Sequence, residues 1–268
     1  MITRITKMIG LGFVPLVVAA TLTFSASSAP ALAQPQAPPS HQAALAAAPA
    51  AQTATIDLCA GATTATMPDG QVINIWGFGE PLGTGGCVVQ LPGPELQVAP
   101  GAAVTVNLTN YLPVPTSIIF PGQSAVGHND PTPGLLTGEA DANGGTVQYT
   151  FTAGPAGTYL YESGTTDQPQ TAMGLYGALI VGNNSPGEQI LVLSEIDPNL
   201  NSAVSAGGGF DLLNYNPTYW LMNGRAYPDT FLLGDNDLTR PNQPYSSRID
   251  LDLAQQPNVL VRYVNAGG

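Results

Sequence analysis

From Ala54 to the last residue, apolar side chains recur at every second position in short runs, and Gly or Pro ends each run before it lengthens. A period of two sends successive side chains to opposite faces of a strand, so each run can bury one face and wet the other. In Ala103-Val-Thr-Val-Asn-Leu-Thr109, Val104, Val106 and Leu108 alternate with polar neighbours. In Thr146-Val-Gln-Tyr-Thr-Phe-Thr152, Val147, Tyr149 and Phe151 do the same. Gly157-Thr-Tyr-Leu-Tyr161 reads as a further strand, while the continuous apolar runs at 175–181 and 189–194 suit strands buried on both faces. No segment sustains a helical period. Short strands at intervals of roughly 8–12 residues, separated by Gly and Pro turns, predict an all-β chain built as a Greek-key β-sandwich.

The strand pattern starts late. A basic opening with Arg4 and Lys7, an apolar run over 8–24 and the small-x-small site Ala31-Leu32-Ala33 predict a signal peptide over 1–33. Pro15 interrupts that run and it is short for a span, so no stable membrane anchor is expected and the mature chain is placed in the secreted or periplasmic space. Residues 34–53, rich in Ala, Pro and Gln, read as a flexible leader, with His41 in it. Residues 54–185 suffice for one complete sandwich domain, and Gly182-Asn-Asn-Ser-Pro-Gly187 looks like a boundary. Residues 186–268 form a shorter, partial second domain. Its last run, Asn258-Val-Leu-Val-Arg-Tyr-Val264, is apolar on both faces and expects a neighbour; either the domain is incomplete or it closes on its own first strands, and incompleteness is preferred.

Beyond Ala33, four arginines (Arg225, Arg240, Arg248 and Arg262) face all eighteen acids, a net charge of −14 that disfavours nucleic acid and anionic membranes as partners. Cys59 and Cys87, 28 positions apart in an exported chain, predict one disulfide. Its loop-entropy contribution is ~3–4 kcal/mol.

Four phrases in order carry a resemblance: Pro92-Gly-Pro-Glu-Leu96, Leu108-Thr-Asn-Tyr-Leu-Pro-Val-Pro-Thr116, Gly157-Thr-Tyr-Leu-Tyr161 and Gly174-Leu-Tyr-Gly-Ala-Leu-Ile-Val181. The chain resembles the first cupredoxin-like (plastocyanin-like) domain of multicopper oxidases, and Leu191-Val-Leu-Ser-Glu195, Tyr219-Trp-Leu-Met-Asn-Gly-Arg225 and Val261-Arg-Tyr-Val-Asn-Ala-Gly267 look like strands of that family's middle domain. The resemblance implies copper as cofactor, held in part by two His-x-His pairs of the first domain. Neutral imidazoles suit that role because they hold Cu(II) and let it cycle to Cu(I). The first pair maps onto Ile119 and Pro121, the second onto Glu162 and Gly164. All four positions are substituted, so no metal, cofactor-binding or catalytic residue is assigned in this chain, and any copper-binding domains would lie C-terminal to it. The family's Cys flanked by His is absent as well, and His128 is the lone imidazole of the predicted folded region, read as a loop residue.

Other chemistry is weaker. Asp235-Asn-Asp237 with Asp229 lacks the closing Glu of a calcium loop. Glu162 with Glu139 or Asp141 has no fixed separation to mark a glycosidase pair. Ser163-Gly164 lacks a His partner, Met67, Met173 and Met222 read as packing, and Asn107-Leu108-Thr109 matches a glycosylation acceptor. The expected function is an exported, multicopper-oxidase-like protein whose family activity is copper-dependent oxidation and whose own ligands are gone. The alternative is an extracytoplasmic binding or interaction module on a β-sandwich scaffold, with loops such as 121–139 as the contact surface.

Overall fold

A computed structural model describes residues 52–165, 169–182, 188–232, 241–249 and 259–268. The predicted signal peptide, all but the end of the leader, most of the 182–187 turn and the Asp235-Asn-Asp237 turn lie outside them. In chain order the strands are β1 (Thr53–Thr66), β2 (Val72–Pro81), β3 (Cys87–Val89), β4 (Leu96–Val98), β5 (Ala103–Asn110), β6 (Gly127–His128), β7 (Gly145–Thr152) and β8 (Gly157–Glu162). Helix α1 (Gln170–Met173), β9 (Tyr176–Val181), β10 (Glu188–Ile196), helix α2 (Pro198–Ser205), β11 (Tyr219–Met222), β12 (Arg225–Ala226) and β13 (Leu260–Asn265) follow. No described helix is long and apolar enough to cross a membrane.

Among the described residues three sheets form, ordered β3-β2-β1-β5-β7-β6, β4-β9-β8 and β12-β11-β10-β13. The first obeys the alternation read from sequence: β5 and β7 pair antiparallel with Val104 opposite Phe151, Val106 opposite Tyr149 and Leu108 opposite Val147, all six buried. Side chains paired across one face are what stabilises a sheet, and here they line the first core. At the other end β3 closes onto β2 because Gly79 carries no side chain; a Cβ there would lie 2.0 Å from the Val88 carbonyl oxygen. That approach brings Cys87 to Cys59, and the predicted disulfide is present.

Strand β9 is buried at all six positions because it lies in the middle layer. Leu175, just before it, and Leu179 and Val181 enter the first core. Tyr176, Ala178 and Ile180 enter a second, completed by Ile190, Val192, Ile196, Leu221, Ala226 and Val264 of the third sheet. The terminal strand β13 does find a neighbour, the parallel β10, and Arg262 on it pairs with Glu188. Its other edge meets no described strand, and Leu260 and Tyr263 are exposed there.

Helix α2 is a correction to the strand-only reading. Asp197 caps it, accepting from the Asn199 amide at 2.9 Å, and Pro198 stands at its start. Only Leu200 and Val204 of its apolar residues are fully buried, one i,i+4 pair, which is too short a repeat to register as a helical period.

Candidate functional site

The segment 116–119 runs between two neighbouring backbones and is bonded to both. Thr116 and Ala140 exchange amide and carbonyl bonds at 3.1 and 2.8 Å. Ile119 and Glu162 do the same, the Ile119 amide donating to the Glu162 carbonyl at 2.8 Å and the Glu162 amide returning at 3.2 Å. Gly164 packs on the same spot: a Cβ built on it would lie 2.5 Å from Ile119 Cγ2 and 3.2 Å from Ser117 Oγ. Three of the four predicted ligand positions therefore touch. Pro121, exposed, lies two residues beyond and borders a groove of about 260 Å³ that Ile119, Phe120 and Gln123 also line.

What surrounds this contact is neutral and hydrogen-bonded. The buried Gln170 accepts at Oε1 from Thr116 Oγ1 at 2.6 Å and from Ser163 Oγ at 2.7 Å, and its Nε2 donates to the Pro115 carbonyl at 2.8 Å. Ser117 and Thr165 hydroxyls meet at 3.0 Å. Buried polar groups cost little only when satisfied, and these satisfy one another. Sequence reasoning missed this cluster, since Thr116, Ser117, Ser163 and Thr165 adjoin the positions it singled out but are residue types usual at a surface.

Glu162 differs from its three companions. It is half-buried, burial raises its carboxyl pKa, and a hydrogen bond with Thr171 works the other way. It lines a cleft of about 370 Å³ together with Gln170, Tyr176, Ser194, Glu195 and Tyr215. Across that cleft Tyr215 donates to Glu195 Oε1 at 3.2 Å, and Tyr176 donates to Ser194 Oγ at 2.6 Å. Burial and the nearby carboxylate push the Tyr215 phenol pKa upward.

A sequence profile described as multicopper oxidase matches residues 85–186, a stretch that contains all four positions. That stretch is of the multicopper oxidase type, and the fold around it is cupredoxin-like. The chain is 38% identical over 92 residues to the multicopper oxidase MCE of Talaromyces pinophilus, covering 34% of this chain and 15% of that protein. To copper resistance protein A of Pseudomonas syringae pv. tomato it is 35% identical over 96 residues, 36% of this chain and 15% of that one. The chain thus matches only a small part of the length of these relatives. Among solved structures, the blue copper oxidase from Nitrosomonas europaea aligns with a TM-score of 0.53 at 23% identity, over 66% of this chain and 55% of that one. The copper nitrite reductase from Nitrosomonas europaea aligns with a TM-score of 0.52 at 20% identity, over 81% and 68%. At these identities the likeness is one of fold.

Of the four positions in this cupredoxin-like fold, Glu162 alone carries a side chain with a metal-binding atom. Ile119, Pro121 and Gly164 offer no side-chain lone pair, and Ile119 fills the room a side chain at 164 would need. Among the described residues no three His, Cys, Asp or Glu side chains come within metal-holding reach. His128 lies exposed on β6, beside Gly138 and Asp130. Asp130 accepts from the Glu139 and Thr132 amides at 2.9 Å each, which pins the 121–139 loop and lowers its carboxyl pKa. Glu139 lies against Gly134 within that loop. Met67 and Met173 are fully buried in packed cores, and Asn107 bonds Asp57 and Gln148 across the sheet surface.

Proposed function

We propose that this chain is an exported, copper-free unit of the multicopper oxidase family, which keeps the frame on which relatives mount copper ligands and performs no oxidase chemistry at that frame. The observation that carries this reading is the contact between Ile119 and Gly164: the second pair's outer position has no side chain, and the first pair's inner position occupies its space. Export follows from the 1–33 pattern and agrees with the Cys59–Cys87 disulfide. The family's copper-dependent oxidation then belongs to domains outside this stretch. The test is metal analysis and electron paramagnetic resonance of the purified mature chain after incubation with Cu(II). Substoichiometric copper and no oxidation of an added electron donor are expected; stoichiometric copper with donor oxidation overturns the reading.

A second reading, an extracytoplasmic binding module, is favoured by one observation, the cleft beside Glu162. The two are compatible, since a scaffold relieved of copper can carry another site.

A further inference from the structure

We infer that the cleft between Glu162 and Glu195 binds a small organic cation, a molecule bearing an ammonium or guanidinium group. The inference rests on the copper-free reading in one respect, that Glu162 is not a copper ligand. The cleft holds about 370 Å³, within the range of small-molecule pockets and far more than a single ion needs. Among the described residues its two charged lining side chains are both carboxylates, and no Lys, Arg or His lines it. Neither carboxylate has a cationic partner among the described residues: Glu162 has the Thr171 hydroxyl, while Glu195 accepts from Tyr215 and from the Gly268 amide.

A buried polar group supplies a second, independent sign of a ligand. Ser194 is 5% exposed and lines the cleft; its hydroxyl meets that of Tyr176 at 2.6 Å, a contact that uses one of the pair's two hydroxyl hydrogens, and the other has no acceptor among the described residues. A buried hydroxyl with an unused donor favours a ligand that also carries an acceptor atom. Tyr176 and Tyr215 supply aromatic surface beside the carboxylates, the combination that suits an organic cation. A hard metal ion is the poorer match, because calcium wants six or more oxygens and no three acids or imidazoles gather in the described residues. The excess of acids over the whole chain would steer a cation inward and an anion away.

Isothermal titration calorimetry of the mature chain with phenethylammonium tests this, with uncharged 2-phenylethanol as the matched control. One saturable site is expected, with the alcohol at least about tenfold weaker, and Glu162→Gln and Glu195→Gln each weakening the amine about tenfold. Glu80→Gln, which removes an exposed charge on β2, should leave binding unchanged. Thermal melts establish that each variant is folded. Equal binding of amine and alcohol overturns the inference. So do indifference to both cleft substitutions, absence of a saturable site up to about 10 mM, and calcium binding with the same dependence on Glu162. A Cu(II) arm separates the two readings. Stoichiometric copper lost in Glu162→Gln overturns the copper-free reading, whereas absent amine binding in a chain that also ignores copper overturns the cleft alone.

Discussion

The two sides of the Ile119–Glu162 bridge have the same backbone support and opposite character. On one side Ile119 and Gly164 close on each other, over hydroxyls tied to Gln170. On the other, Glu162 keeps a charge-bearing side chain that is partly in water and borders a cleft. The difference shows that neighbouring positions around one bridge need not behave alike: an aliphatic side chain facing a glycine shuts the space, while a carboxylate keeps its own open. The bridge is held by its own backbone hydrogen bonds and by the Gln170 cluster beside it. On the closed side, stability should depend on shape; on the open side, on charge.

The largest effect is expected where shape matters most. Gly164 lies in an ordinary backbone region, so a side chain there meets steric and not torsional resistance. Gly164→Ala should cost about 2–3 kcal/mol in chemical denaturation, as overpacking does. Combined with Ile119→Ala, it should cost less than the sum of the single changes, because the smaller side chain leaves room for the new methyl. A neutral Gly164→Ala would break the contrast, since the closed side would then have slack. Next comes Gln170→Leu, which removes the acceptor shared by Thr116 and Ser163 and strands both buried hydroxyls. A loss of about 2 kcal/mol is expected, seen as a lower thermal midpoint. Equal stability would mean that the hydroxyls find other partners and that Ile119 packing alone holds this side.

Much of the closed side was legible in the sequence. Alternation at 103–109 and 146–152 named the residues that line the first core, and the unbroken apolar run ending at Val181 marked a strand buried on both faces, since both alternation and its absence report local burial. The ordered phrases around Ile119 and Glu162 placed two segments far apart in the chain at one spot. The open side was not legible, because Ser194, Glu195 and Tyr215 come from the end of β10 and a later loop, and nothing local to them marks a cleft. The Gln170 cluster was missed for a related reason: Ser, Thr and Gln are ordinary surface residues, and only the fold turns them inward. Helix α2 was missed because one buried i,i+4 pair is too little pattern.

The smallest effect concerns charge on the open side. Burial raises the folded-state pKa of Glu162 above its ordinary value of 4.5, so the folded protein holds that proton more tightly than the unfolded chain does. The resulting stability is fully present below the unfolded value and is lost as pH rises through the folded one. Glu162→Gln cannot titrate, so relative to the native chain it should gain at neutral pH and gain nothing in acid. Because Glu162 is partly exposed to water, the gain should stay under about 1 kcal/mol. Calorimetric melts at pH 7 and near pH 3.5 check this, the variant melting slightly higher in the first and equal in the second. A variant that melts lower at neutral pH would show that Glu162 is paired with a cation in the folded protein. The two sides of the bridge would then differ in which partner they hold and not in whether they hold one.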